Sequence, residues 1–164
     1  MIMVEVRDTA GVIAPPPLIG LAAIVLGVAL DWLLPAYVLT VLLSVAERIV
    51  IGIVLVAAGA GLGIPAILAF RSAGTHVEPW KPSSVLATTG LYAYVRNPMY
   101  VGLALLVAGI GVALASDWTL VMLVASALLM HFGVVKREER YLSAKFGEPY
   151  RQYMNTVPRY GWPP

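Results

Sequence analysis

The sequence predicts an all-α, polytopic transmembrane bundle: about four spans, both termini cytoplasmic, and a C-terminal cytoplasmic amphipathic helix. Three observations predict it. Of 164 residues, 60% are hydrophobic and only 12% charged, too little polar surface to cover a soluble domain. The charges gather at the two ends and in one central segment. The uncharged runs between them reach the roughly 18 residues that cross about 30 Å of hydrocarbon as a helix.

Taken in order, the first span is expected over residues 18–34, ending at Pro35, with Asp31 and Trp32 at an interface that favours Trp. The preceding residues hold Arg7 against Glu5 and Asp8, then Pro15-Pro16-Pro17. That is a poor secretory signal, and the first span is read as retained. The second span is expected over 44–70, with Glu47 and Arg48 marking its start at the outer interface and Pro65 kinking its inner end. A polar segment, 71–97, follows. Spans at 98–115 and 118–135 form a hairpin around Ser116-Asp117. The tail, 136–164, is charged and aromatic. The whole chain, 1–164, reads as a single membrane domain.

Orientation follows from the bases. Arg71, Lys81 and Arg96 lie in the central segment, and Lys136, Arg137, Arg140, Lys145, Arg151 and Arg159 in the tail. An excess of Lys and Arg marks cytoplasmic loops, so both termini and the central segment are expected inside.

Several chemistries are excluded or disfavoured. Without cysteine there are no disulfides, thiolate nucleophiles or sulfur-ligated metals. His76 and His131 lack the carboxylate neighbours of a metal site, so no metal is expected. A hydrogen-bonded structural role suits His131, with an interfacial proton carrier as the alternative. A net charge of +2 gives no reason to expect nucleic acid. Gly59-Ala60-Gly61-Leu62-Gly63 lies inside a span, without the strand and helix start that a phosphate-binding loop requires. Pairs four apart, Gly59 with Gly63 and Ala57 with Gly61, are read as helix-packing positions.

The residues that carry chemistry are dense in two places. In Thr88 to Gly102, Gly90 permits a turn and Arg96-Asn97-Pro98 suits a helix start, with Pro98 in a first turn where no amide is needed. Free amides there suit a carboxylate, and the tyrosines suit stacking on a purine. An aromatic belt with a helix cap is the plainer alternative. In the tail, Glu138-Glu139 lie just past the last span, where anionic lipid disfavours carboxylates and a bound ammonium would favour one. Phe146, Tyr150 and Tyr153 are spaced to share one helical face at the headgroup boundary.

From Arg71 to Pro158 the chain resembles the isoprenylcysteine carboxyl methyltransferase family and its bacterial and phospholipid-methyltransferase relatives. The resemblance rests on Gly90-Leu91-Tyr92-Ala93-Tyr94-Val95-Arg96-Asn97-Pro98-Met99-Tyr100-Val101-Gly102, on Glu138-Glu139, and on Phe146-Gly147-Glu148-Pro149-Tyr150, with Tyr153 and Val157-Pro158-Arg159 beyond. It implies S-adenosylmethionine as methyl donor, a lipophilic or prenylated acceptor entering from the bilayer, and a site facing the cytoplasm of a bacterial inner membrane. By position it implies a donor pocket of Val77 or its neighbours from Thr75 to Pro79, then Ser84, Val85, Leu86, Ala87, Tyr92, Asn97, Pro98, Met99 and Tyr100. Glu138 would hold the donor's amino group, while Asn97 and Tyr100 would orient the donor.

Two positions depart from the pattern. Eukaryotic members carry His where this chain has Asn97. They also carry an arginine, facing the acceptor carboxylate, where this chain has Val134; Arg137, Lys136 or His131 are the candidates to replace it. NADPH-dependent sterol reductases share a similar Gly-x-Tyr and Arg-Asn-Pro-x-Tyr region but are usually longer, with more spans. A non-catalytic relative is the third reading.

Overall fold

A computed structural model describes residues 8–72, 74 and 76–161. Regular structure among them is entirely helical. Helix α1 (Pro16–Leu33) starts on a proline, α2 (Val38–Leu42) is a single short turn, and α3 (Val45–Ser72) contains Pro65. After a 3₁₀ turn at Gly90–Ala93 come α4 (Pro98–Ala113) and α5 (Asp117–Met130). A π-helical turn, His131–Val135, leads without a break into α6 (Lys136–Phe146), and α7 (Glu148–Thr156) closes the chain.

Three stretches are long and apolar enough to cross a membrane: Pro16–Leu33, Val45–Ser72 and the continuous Asp117–Phe146. Helix α4, of 16 residues, is apolar but shorter. The outward faces of these helices are apolar: Leu21, Val25, Val54, Val124 and Leu128 are all more than half exposed. In water such a surface would be a liability; in lipid it is the expected solvent-facing side.

Helix α3 packs along α4, and the sequence shows how. Gly52 and Gly59 lie one heptad apart, as do Gly102 and Gly109. A methyl group added at Gly59 would sit 2.6 Å from the Gly102 carbonyl oxygen, and one at Gly102 would sit 2.7 Å from that of Gly59. Gly52 and Gly109 meet in the same reciprocal way, at 2.8 and 2.7 Å. The two backbones therefore touch, which only glycine permits. The expected pairing within α3 is sharpened by this: Gly59 is at the contact, while Gly61 faces open space.

Helix α1 packs along α5. Beyond them, at the far end of the bundle from the polar segments, Asp117 accepts from the amides of Val38 (2.9 Å) and Leu39 (3.0 Å), and Asp31 accepts from the Ser116 hydroxyl. Ser44 and Glu47 form a reciprocal cap at the start of α3, with the Ser44 amide donating to Glu47 at 2.8 Å. Glu47 thus marks a helix start, as its position near an interface suggests.

At the opposite end, three polar segments meet: the stretch before α1, the 76–97 connection and the tail. The core beneath them is Ile19, Met130, Val134 and Val135, with Val12, Ala14, Tyr100 and Leu103 packed against it.

The tail differs from the single amphipathic helix expected. Gly147 adopts a left-handed φ of +64° and ends α6, and Pro149 starts α7 in a new direction. Phe146 therefore does not share a face with Tyr150 and Tyr153. Tyr150 is 4% exposed and the Tyr153 hydroxyl donates to the Tyr92 carbonyl at 2.6 Å, so α7 docks on protein.

Candidate functional site

The site is built on the start of α4. Pro98 occupies its first turn and Asn97 its cap position. The Asn97 side chain, however, does not cap the helix; its amide donates to the Arg159 carbonyl at 3.1 Å. Arg96 binds the same strip of tail: its amide donates to Pro158 O and its Nε to Val157 O, both at 2.9 Å. Its Nη1 donates to Glu139 Oε1 at 2.8 Å. Arg159 completes the clamp with a fork on both Glu139 oxygens, at 2.7 and 2.8 Å. Glu139 is 9% exposed, so this is a buried, doubly paired carboxylate.

The clamp holds the tail over a pocket. Its walls include Val77, Val85, Leu86 and Ala87 from the connection, Tyr92 from the 3₁₀ turn, Asn97, Met99 and Tyr100 from α4, and Glu138 from α6. These are nine of the positions expected to hold the donor. Ser84 is not among the lining residues; its hydroxyl donates to the Gly74 carbonyl at 3.1 Å, and neighbouring Ser83 lines the pocket instead. Pro98 is fully buried behind the wall. Thr75 lies outside the described residues. Arg137 is not brought to the pocket: its guanidinium donates to the Gly11 carbonyl at 2.7 Å, on the exposed side of α6.

Two groups of the pocket are open to a ligand. The Tyr92 hydroxyl is buried with no hydrogen-bond partner among the described residues, a costly state unless something else reaches it. The Phe70 ring packs against Tyr92, with centroids 5.0 Å apart. Glu138 accepts one bond, from the Tyr100 hydroxyl at 2.8 Å. Glu138 lies in charged α6, past the apolar part of the continuous Asp117–Phe146 helix, and burial pushes its carboxyl up to about 7 despite the Tyr100 bond, with nearby Glu139 adding to the rise. Burial also raises Tyr92 well above an ordinary phenol. A cationic group beside Glu138 would relieve its desolvation.

Residues 47–149 match the family model described as phospholipid methyltransferase. The chain belongs to that family. It is also similar to a protein-S-isoprenylcysteine O-methyltransferase of Schizosaccharomyces pombe, 29% identical over 127 residues, 76% of this chain and 52% of the relative. The chain thus spans about half the length of the curated relative it matches. No solved structure matches it.

The family match covers α3 to α6 and so includes the pocket from Val77 to Glu138. The part of the clamp that belongs to Arg159, and the α7 tyrosines, lie outside the matched residues. Arg96, Glu139 and Arg159 lie far apart in the sequence, with no local spacing to signal their pairing, which arises only once the tail folds back. Val134 is fully buried against Ile19 and Met130. In this member of the family that position belongs to the core and presents no cation.

Two apolar cavities adjoin the pocket, and both share Tyr100 with it. One, about 360 Å³, runs between α3 and α4 and reaches Val77 to Trp80. The other, about 320 Å³, is bounded by α1, α4 and α5. At the polar end of the second, His131 Nδ1 and the Tyr160 hydroxyl are 2.9 Å apart. The hydrogen-bonded role expected for His131 therefore has a named partner.

Proposed function

We propose that this chain is an integral membrane methyltransferase that takes its methyl group from S-adenosylmethionine and passes it to a lipophilic acceptor. Family membership and the relative's name support the methyltransferase class. The observation that carries the donor assignment is the Tyr92 hydroxyl, buried without a partner, in one pocket with the half-buried Glu138 carboxylate, which has no basic partner. A donor with an ammonium group and a hydroxyl-bearing nucleoside has complementary chemistry for both.

When bound, the donor supplies an electrophilic methyl group on a sulfonium. The residues of this chain do the rest by position. Glu138 anchors the ammonium, and Tyr100 holds Glu138 in place. Tyr92, Phe70 and Tyr150 give aromatic and polar walls. The free amides of the α4 start suit the donor carboxylate. Direct in-line transfer needs orientation and exclusion of water, with no covalent intermediate.

The acceptor would come from the bilayer into one of the two apolar cavities and meet the donor near Tyr100. An oxygen nucleophile fits the relative's name. We place four crossings in the membrane, with α4 as a short third one, and the pocket on the cytoplasmic face. The bases of the central segment and tail gather at that end. A bacterial inner membrane suits this arrangement.

Calorimetry of S-adenosylhomocysteine on the purified protein tests the donor reading; no binding, or unchanged binding by Glu138→Ala, would sink it. Labelled donor added with native lipid extract tests the acceptor. Competition by NADPH, the alternative nucleotide, is expected to fail, since no cluster of Lys and Arg lines the pocket among the described residues: beside His76 it has Arg96, which is engaged by Glu139.

A further inference from the structure

The cavity bounded by α1, α4 and α5 has apolar walls, among them Leu103, Val107, Leu123 and Ala127, and a polar end made by Tyr100, His131 and Tyr160. No Lys or Arg lines it among the described residues. The π turn begins at His131. Such turns are rare and often mark functional sites. In an uninterrupted α-helix, residues seven apart lie on nearly the same face. Here the wider turn changes that phase: His131 lines this cavity and Glu138 lines the donor pocket, with Tyr100 common to both.

Resting on the methyltransferase reading above, we infer that this cavity holds the methyl acceptor, a lipophile bearing a phenolic or enolic hydroxyl, and that His131 takes its proton. A carboxylate acceptor would need a cation to offset its desolvation. No Lys or Arg lines the cavity among the described residues, Arg159 beside Tyr160 is engaged by Glu139, and the family's arginine position is the buried, aliphatic Val134. A hydroxyl that keeps its proton at neutral pH instead needs a base, and the imidazole is the one group of that kind among the described lining residues. The cavity between α3 and α4 has Glu78 as its charged group, and that carboxylate is paired with Lys81 at 2.8 Å.

The step balances. The acceptor oxygen forms the bond to the methyl carbon as the carbon–sulfur bond breaks, and that electron pair returns to sulfur as a neutral thioether. The hydroxyl proton passes to His131 Nε2. In this tautomer Nδ1–H donates to the Tyr160 oxygen, which fixes the ring. The imidazolium then releases its proton to water at the polar end.

The test uses the full chain in lipid nanodiscs, as wild type, His131→Gln and Ala127→Phe, the last to fill the cavity. Three readouts apply: S-adenosylhomocysteine affinity, the His131 imidazole NMR signal on adding 4-nonylphenol without donor, and labelled methyl transfer to 4-nonylphenol or to N-acetyl-S-farnesylcysteine. We expect donor-product affinity within about 2-fold in all three proteins, which also shows that they fold. The phenol is expected to shift the His131 signal in wild type and not in Ala127→Phe. Transfer to the phenol should fall about 100-fold or more in His131→Gln, and the carboxylate probe should stay unlabelled. With S-adenosylhomocysteine bound, an unmoved His131 signal, undiminished transfer by His131→Gln, labelling of neither probe, or preferred labelling of the carboxylate overturns the inference. Absence of S-adenosylhomocysteine binding to wild type overturns the methyltransferase reading, and the inference with it.

Discussion

The Tyr100 hydroxyl donates to Glu138 Oε1 at 2.8 Å, joining the first turn of α4 to the first turn of α6. Neighbouring Glu139 also borders the pocket, but its oxygens are paired with Arg96 and Arg159. Adjacent carboxylates thus have different work: one is tied up in holding the tail, the other is left facing the pocket.

That division predicts different phenotypes. Glu138→Gln keeps the shape and removes the charge, so S-adenosylhomocysteine affinity should fall by about 10- to 100-fold, the value of a hydrogen bond to a charged group. Folding should be unharmed or improved, because a desolvated carboxyl is removed. Calorimetry and thermal unfolding on the same preparation check both halves. Loss of fold with unchanged affinity would contradict the assignment.

Glu138 also sets the pH dependence, with opposite signs for binding and stability. Its folded value of about 7 lies above the ordinary 4.5. The unfolded chain therefore gives up this proton first, and ligand-free stability should decline as pH rises from 4.5 through 7. Binding of an ammonium requires the carboxylate, so affinity should rise about 10-fold from pH 6 to pH 8. Parallel melting and titration series across that range should diverge in direction, and the divergence should vanish in Glu138→Gln.

The clamp should be lopsided. Arg96 is 8% exposed at its side chain and Arg159 29%. Glu139→Ala leaves both guanidinium groups unpaired, one deeply buried, at a cost of about 3–5 kcal/mol. Arg159→Ala leaves the Arg96–Glu139 pair intact and should cost clearly less. Both should raise hydrogen exchange across α7 and weaken donor binding, since the strip from Val157 to Arg159 would be held less firmly once the Arg159–Glu139 fork is lost. Exchange confined to the tail in Arg159→Ala, and spread into α6 in Glu139→Ala, is the expected pattern.

The bundle and the pocket's main segments were legible in the sequence because each rests on local signals. Uncharged runs gave the long helices, and Pro98 gave the start of α4. The tail was less legible for a physical reason. The spacing of Phe146, Tyr150 and Tyr153 fits one helical face only if the helix is unbroken, and Gly147 at φ +64° breaks it. Burial of Tyr150 against protein, and the pairing of Arg159 with Glu139 twenty residues away, are tertiary facts that no local period encodes. Arg137 failed to reach the pocket for a similar reason: the carbonyl of Gly11, in the stretch before α1, takes its guanidinium on the other side of the helix.

The last prediction concerns the packing that holds the pocket's floor. Gly102 lies one turn past Asn97–Met99, and a methyl group there would meet the Gly59 carbonyl at 2.7 Å and the Gly63 amide nitrogen at 3.0 Å. These are backbone atoms, which cannot rotate aside as a side-chain tip can. Gly102→Ala must therefore push α3 from α4, at a cost of about 1–3 kcal/mol by analogy with overpacked cores. Gly61→Ala, two residues from Gly59 and on the side of α3 that faces open space, adds a methyl group without a clash and improves helix propensity. Because Met99 and Tyr100 ride on the same turn, the Gly102 variant should also loosen donor binding, whereas Gly61→Ala should leave it alone. Unfolding midpoints in one detergent, read with S-adenosylhomocysteine affinity, check the pair; equal behaviour of the two alanines would mean that α3 and α4 do not meet through these glycines.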